Sequence, residues 1–227
     1  MEGGARGWLG WIRDRDAALS AFLSLLLAST ILSWPVRDLF PEPVFDALFV
    51  ATVFFGVLVV VPSPRIAVLA GIVGAAVTLQ RLLGIGRLTL LEAVPSLLLF
   101  LLISAALLVR VFRPGRITVH RLLGAVALFL VLGVTWGLAY QAVQVVHPDA
   151  ILMNGKPATP PEAMWLSFVT LSTVGYGDVV PVHPLARSLA ALEALTGVLF
   201  PSVLIGFLLG QVGGAHGADG PGGAAPP

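Results

Sequence analysis

Apolar runs long enough to cross a lipid bilayer constrain the fold of this chain more than any other feature. A membrane-spanning helix needs about 20 mostly apolar residues, and prolines and glycines separate the runs at positions typical of helix ends. We predict six spans, at roughly Ala17–Trp34, Phe45–Val61, Ile66–Leu83, Leu90–Phe112, Leu122–Val146 and Ala186–Gly210. Because 57% of the 227 residues are hydrophobic and 11% are charged, the composition also predicts a membrane protein, all-α in class.

The composition excludes several classes of function. A net charge of +1 is too small to indicate a nucleic-acid partner. The chain has no cysteine, which rules out disulfides, thiol catalysis and cysteine metal sites. The four histidines are scattered, and no span offers a nucleophile–base pair. We therefore expect neither an enzyme nor an organic cofactor.

Basic residues near the span ends predict the orientation of the chain. Eight arginines lie on the cytoplasmic side if the N-terminus is inside, against five basic residues on the other side. This favours a multi-pass protein of the inner (plasma) membrane with both termini in the cytoplasm. We expect residues 1–16 to lie at the cytoplasmic interface and residues 17–113 to form a four-span domain. The Gly/Ala/Pro-rich tail, 213–227, is predicted to be disordered, and no soluble regulatory domain is evident.

A shorter apolar piece, Ala163–Leu171, lies between the last two spans and is followed by a glycine-rich stretch. Irregular backbone at membrane depth is tolerated only where it is buried in protein or lines a water-filled path. A half-length helix followed by Gly175-Tyr176-Gly177 therefore predicts a re-entrant loop. Thr159, as N-cap before two prolines, predicts the start of that helix. Its C-terminal end then directs partial negative charge into the membrane, where it can stabilise a cation.

The sequence TVGYG at 173–177 resembles the selectivity filter of potassium channels. The chain from about Arg121 to Gly210 resembles the pore module of bacterial members of this pore-loop ion-channel family. The resemblance implies a pore domain at 114–212, with an outer helix at ~120–146, a pore helix at ~160–172, a filter at 173–178 and an inner helix at ~185–210. Since four loops are needed to surround an ion, it also implies a homotetramer in membrane lipid, with K⁺ in the filter.

The resemblance assigns roles to individual residues. The carbonyl groups that would bind K⁺ belong to Thr173, Val174, Gly175 and Tyr176, with the Thr173 hydroxyl at the inner site and Gly177 completing the filter. Filter support is expected from Trp165, Thr170 and Asp178, with the indole N–H of Trp165 reaching Asp178. Ser172 would face the water-filled cavity below the filter.

Two residues near the filter depart from the family's pattern, and three residues of the last span are candidates for a gating or structural role. Leu166 replaces an aromatic residue that supports the filter in relatives, and Val169 replaces an acid found behind the filter in some of them. Gly197 and Pro201 are candidates for a gating hinge, with a static bend as the alternative. Glu193 is an acid within the membrane, expected to lie behind the pore helix and to be protonated or bonded to Ser or Thr hydroxyls. A structural role is favoured over an ion site.

The first four spans do not resemble a voltage sensor. Voltage sensing needs charges inside the membrane field, yet the fourth span has no basic residue through its apolar centre. Arg110, Arg113 and Arg116 cluster at its cytoplasmic end, as the positive-inside rule explains. Two alternatives to a potassium channel stay open, a non-conducting or regulatory membrane subunit and a non-selective cation channel. The intact filter sequence argues against both.

Overall fold

The computed structural model describes residues 15–32, 39–40, 42–60, 68, 71–76, 79, 90–113 and 119–217. Its main helices are α1 (Arg15–Leu27), α2 (Glu42–Val60), α3 (Leu90–Val111), α4 (Val119–Val146), α5 (Pro160–Leu171) and α6 (Pro184–Gly217). A π-helical turn, Ala28–Leu32, continues α1, and residues 71–76 are also helical. The described part of the chain is thus mostly helical, as the apolar runs predicted.

Three helices in the described residues are long and apolar enough to cross a membrane. They cover Ala93–Val111, Arg121–Val146 and Pro184–Gly210, and a shorter apolar helix covers Ala21–Thr30. The third predicted span, at 66–83, lies largely outside the described residues, as do 1–14 and 218–227. The count of six spans therefore stays a prediction.

Helix α6 is longer than the sequence predicted. It continues to Gly217, beyond the expected end near residue 210, so the first residues of the predicted disordered tail are helical. Several glycines weaken a helix in this stretch, but no proline interrupts it before Pro221. A glycine-rich composition was therefore a poor marker of the helix end.

One hydrophobic core joins the N-terminal helices to α4. Its fully buried members include Phe22 and Leu26 of α1, Ile103 of α3, and Leu128 and Val131 of α4. A buried hydrogen bond also links α3 to α4, with Ser104 Oγ and Thr135 Oγ1 3.0 Å apart. The predicted domain boundary near residue 113 therefore separates two segments that share a core.

The connection between α4 and α5 contains a β-hairpin that the sequence analysis did not predict. Strands β1 (Ile151–Met153), β2 (Lys156–Pro157) and β3 (Val179–Pro181) form an antiparallel sheet in the order β2-β1-β3. Asn154 and Gly155 both have positive φ, 51° and 77°, as a two-residue type I′ turn requires. The three strands hold only three, two and three residues, so the described chain keeps the mostly helical, all-α character that was predicted. The dipeptide Asn-Gly between two short strands was the available signal.

Candidate ion-conduction site

The sequence around Thr159 fixes the start of the pore helix, α5. Thr159 is the N-cap, with prolines in the first turn of the helix. Its backbone N–H donates to Glu162 Oε2 over 2.6 Å, which forms half of a capping box. The helix then runs for 12 residues, or about 18 Å at 1.5 Å per residue. It is therefore too short to cross the membrane, as a re-entrant helix must be.

Two glycines of α4 allow α5 to pack closely against it. A Cβ atom built on Gly133 would lie 2.6 Å from the Phe168 ring, and one on Gly137 would lie 2.5 Å from Met164 Sδ. These distances are well inside van der Waals contact. The GxxxG pair in α4 therefore has a packing role, as is common for small residues between membrane helices.

The backbone of residues 173–177 alternates in the sign of φ. Thr173, Gly175 and Gly177 have φ values of 62°, 60° and 77°, whereas Val174 and Tyr176 do not have positive φ. Alternation between right- and left-handed conformations places successive N–H groups on one side of the chain, and therefore directs carbonyl groups to the other. Positive φ is unusual for a β-branched residue such as Thr173, and such strain is concentrated at functional sites.

Backbone hydrogen bonds attach the filter stretch to the C-terminal end of α5. The N–H groups of Val174 and Gly175 both donate to the Val169 carbonyl, over 3.0 and 3.2 Å, and the N–H of Thr173 donates to the Thr170 carbonyl over 2.9 Å. A displacement of α5 would therefore displace residues 173–175. Thr170, predicted as filter support, contributes its carbonyl group to these bonds.

The predicted contact between Trp165 and Asp178 is present. Trp165 Nε1 donates to Asp178 Oδ2 over 2.9 Å. The Trp165 ring also stacks on Tyr176, with ring centroids 5.8 Å apart and an interplanar angle of 2°. Trp165 thus contacts both sides of Gly177, although its role in supporting a conducting filter stays a prediction.

Residues 172–178 are all exposed in the single chain. Ser172, predicted to face the cavity, has its hydroxyl group directed back to its own helix, where it donates to the Phe168 carbonyl over 2.6 Å. Tyr176 is 68% exposed although it lies in the filter sequence. A single chain therefore leaves the filter stretch uncovered on the side away from α5.

Glu193 is fully buried and lies behind the pore helix, where a structural role was expected. Ser167 Oγ lies 2.5 Å from Glu193 Oε1, and Tyr140 OH donates to Glu193 Oε2 over 2.6 Å. Ser167 Oγ also lies 2.7 Å from the Gly133 carbonyl. A serine or threonine hydroxyl partner was predicted for Glu193, whereas the bond to Tyr140, which lies 53 residues earlier in the chain, was not.

The structure gives Gly197 a second reason to be glycine besides a hinge. A Cβ atom at this position would collide with the Leu171 carbonyl oxygen at the end of the pore helix. Gly197 is accordingly buried, whereas Pro201, inside the same helix, is exposed. Close approach of two backbones explains Gly197 without any motion, and the hinge stays a prediction.

Comparisons with known proteins concern the same segment. Residues 124–212 match the family model described as "Ion channel". The chain is 38% identical over 72 residues to the inward rectifier potassium channel Kirbac3.1 of Paramagnetospirillum magnetotacticum. The aligned residues cover 32% of this chain and 23% of that protein. It is 35% identical over 91 residues to a voltage-gated potassium channel of Aeropyrum pernix, covering 40% and 28% of the two chains.

A third relative has a different kind of gating. The chain is 38% identical over 80 residues to a cyclic nucleotide-gated potassium channel of Rhizobium etli. The aligned residues cover 35% of this chain and 21% of that protein. The chain thus spans about a quarter of the length of these curated relatives. No solved structure matches the chain.

All three relatives are named potassium channels, and their names differ in the terms inward rectifier, voltage-gated and cyclic nucleotide-gated. The similarity therefore concerns the pore and carries no information about gating. Together with the apolar helices, it supports a multi-pass membrane protein with a channel-like pore segment. In residues 124–212, this chain is similar to the pore-loop ion channels, and specifically to potassium channels.

Proposed function

We propose that this chain is one subunit of a potassium-selective channel that conducts K⁺ passively across the membrane. The observation that carries the proposal is the alternating backbone of residues 173–177, held on the end of a half-length helix. Carbonyl groups that face one side can replace the water shell of K⁺. The ions would bind at the carbonyls of Thr173, Val174, Gly175 and Tyr176.

The assembly we propose is a homotetramer with the filter on the fourfold axis. Four loops are needed to surround one ion, and the chain carries one TVGYG sequence. The exposed filter residues and the largely exposed inner helix α6 agree with this assembly, because neighbouring subunits would cover them. We place the protein in the inner (plasma) membrane with both termini in the cytoplasm. The β1–β2 hairpin would then lie outside the cell.

Potassium flux into liposomes that contain the purified protein tests the conduction proposal. We expect K⁺ flux to exceed Na⁺ flux and to be blocked by Ba²⁺. Equal K⁺ and Na⁺ flux would indicate a non-selective cation channel, and no flux from a correctly assembled protein would indicate a non-conducting subunit. Either result would overturn the proposal.

Two glycine substitutions distinguish an effect specific to the filter from a general effect of backbone strain. Gly175 and Gly155 both have positive φ, 60° and 77°, and a Cβ at either position would meet no atom of this chain within 4 Å. Alanine costs about 1 kcal/mol or more in such a conformation. We expect Gly175→Ala to abolish K⁺ selectivity and Gly155→Ala, in the hairpin turn, to preserve it.

The absence of cysteine makes the orientation testable by labelling. A single cysteine at Asn154, the exposed tip of the hairpin, should react with a membrane-impermeant thiol reagent added to intact cells. Protection of this cysteine in intact cells, with reaction after the membrane is opened, would reverse the proposed orientation.

A further inference from the structure

The buried contacts around Glu193 connect all three helices of the pore. Tyr140 and Gly133 lie on α4, Ser167 lies on α5, and Glu193 lies on α6. Ser167 and Glu193 are each 0% exposed, as is Tyr140. Among the described residues, no basic group pairs with Glu193, and its hydrogen-bond partners are the two hydroxyl groups. An ionised carboxylate at such a site would be a buried charge without a countercharge, which is costly.

Counting hydrogen atoms in this cluster determines the form of the acid. Three oxygen–oxygen contacts occur in series, at 2.6 Å from Tyr140 to Glu193, 2.5 Å from Glu193 to Ser167, and 2.7 Å from Ser167 to the Gly133 carbonyl. Each contact is short enough to require one hydrogen atom between its oxygens. The Tyr140 and Ser167 hydroxyl groups supply two, and a carbonyl supplies none. The third must come from Glu193.

The directions of the hydrogen bonds follow from this count. The Gly133 carbonyl can only accept, so the Ser167 hydroxyl donates to it. Ser167 Oγ then has to accept from the carboxyl O–H at Glu193 Oε1, while Glu193 Oε2 accepts from Tyr140. All three bonds run the same way along the chain of groups, an arrangement in which each bond strengthens the next.

We propose that Glu193, held as a neutral carboxylic acid, is a positioning residue for the selectivity filter. It fixes Ser167, four residues before the C-terminal end of α5, between the inner and outer helices. The same end of α5 carries the backbone bonds to Val174 and Gly175. Val169 carries no acid, and the Glu193 cluster braces the pore helix from α6. This inference rests on the proposed potassium conduction.

Glutamine at position 193 distinguishes a neutral acid from a carboxylate. Its amide oxygen can accept from Tyr140 and its NH₂ group can donate to Ser167, which reproduces the acid but not the carboxylate. We expect Glu193→Gln to keep the wild-type K⁺/Na⁺ flux ratio. Glu193→Leu and Ser167→Ala should each lower that ratio by about fivefold or more, the factor for one buried hydrogen bond.

The conservative variant keeps the test decisive if Glu193→Leu does not assemble. In one outcome, the wild type conducts K⁺ selectively while the K⁺/Na⁺ flux ratio falls as far in Glu193→Gln as in Ser167→Ala. That result would overturn the inference and leave the proposed function intact. Wild-type protein without selective flux would overturn the proposed function itself. Unchanged selectivity in Ser167→Ala would also overturn the positioning role.

Infrared spectroscopy tests the form of the acid independently of conduction. The difference spectrum between the wild type and Glu193→Gln isolates the absorption of this one carboxyl group. We expect it to contain the C=O stretch of a protonated carboxylic acid at neutral pH, shifted by Tyr140→Phe, which removes the hydrogen bond to Oε2. Carboxylate bands without an acid band would overturn the inference.

Discussion

Helices α4 and α6 have nearly the same hydropathy but opposite surroundings. Their apolar spans have mean hydropathies of 2.3 and 2.0, yet 61% of the α4 span is buried within the chain and only 11% of the α6 span. Helices α1 and α3 and the pore helix α5 cover α4. The exposed apolar side chains of α6 have no such cover, and they include Leu192, Leu195, Val198, Leu199, Val203 and Leu209.

The difference shows that α4 is packed by helices of its own chain, whereas most of the α6 surface has no contact within the chain. Helix α6 contacts its own chain mainly along one face, where Glu193 and Gly197 meet the pore helix. Hydropathy marks both helices as spans but does not show whether a span is covered by the same chain, by lipid or by another subunit. In the proposed tetramer, neighbouring chains cover much of α6, whereas α4 is already packed.

Alanine substitutions at two glycines of α6 should show the largest contrast between its covered and open faces. Gly197→Ala places a methyl group against the Leu171 carbonyl, whereas a Cβ at Gly206 meets no atom within 4 Å. Overpacking costs about 1–3 kcal/mol, and each of four subunits would bear it. We expect Gly197→Ala to reduce K⁺ flux at least about tenfold and to lower K⁺/Na⁺ selectivity, with little change in Gly206→Ala.

The same pair of variants separates packing from hinge motion. A hinge at Gly197 predicts altered open probability with selectivity preserved, since only the bend of α6 would change. Displacement of the pore helix predicts loss of selectivity as well, because the filter is bonded to its end. Single-channel recording in lipid bilayers, with the reversal potential as the measure of selectivity, distinguishes the two. Equal behaviour of Gly197→Ala and Gly206→Ala would contradict the packing explanation.

The features that the sequence predicted well are those specified by nearby residues. The pore helix has its cap, its first turn and its length within one stretch of the chain, and the Trp165–Asp178 bond joins residues 13 apart. The hairpin turn is equally local, because the dipeptide Asn154-Gly155 by itself favours it, although the hairpin was not predicted. Local backbone chemistry therefore sufficed to locate the candidate site.

Features that depend on distant residues could not be predicted in the same way. The partner of Glu193 on α4 is 53 residues away, and periodicity does not show which faces of two membrane helices meet. For Gly197 the sequence left a gating hinge and a static bend open, and only the position of Leu171 shows a close approach of the two backbones. Both interpretations of the bend in α6, hinge and static, stay predictions.

Shortening one exposed leucine of α6 should have a smaller effect, confined to assembly. Leu195 on α6 and Leu98 on α3 are exposed to a similar extent, 57% and 59%. If neighbouring subunits cover α6, Leu195→Ala removes packing between subunits and should cost about 1 kcal/mol per subunit, below the range of about 2–5 kcal/mol for fully buried leucines. Leu98→Ala is the matched control and should leave assembly unchanged.

Heating the detergent-solubilised protein and following the tetramer fraction by size-exclusion chromatography measures this effect. We expect the tetramer of Leu195→Ala to dissociate at a lower temperature than that of Leu98→Ala, with equal helix content in both. Equal dissociation temperatures would mean that lipid, and not a neighbouring chain, covers this part of α6.

The smallest single effect is expected from Ser104→Ala, on the covered side of the comparison, where α3 meets α4. Thr135 Oγ1 donates to the Val131 carbonyl over 2.7 Å, so the hydrogen atom of its contact with Ser104 comes from Ser104. Ser104→Ala therefore leaves Thr135 with its own acceptor, whereas Thr135→Val leaves a buried Ser104 hydroxyl without this partner. We expect a loss of about 0.6 kcal/mol for Ser104→Ala, the mean for such bonds between membrane helices, and a larger loss, about 1–2 kcal/mol, for Thr135→Val.

Denaturation of the solubilised protein gives the free energy of unfolding for both variants and for the double variant. Once Ser104 is alanine, Thr135→Val leaves no orphaned hydroxyl group, so the double variant should lose less than the sum of the single losses. An additive result would mean that the two hydroxyl groups do not interact. The Ser104–Thr135 contact would then add nothing to the packing of α3 on α4, which uses the same core that keeps α4 covered while α6 stays open.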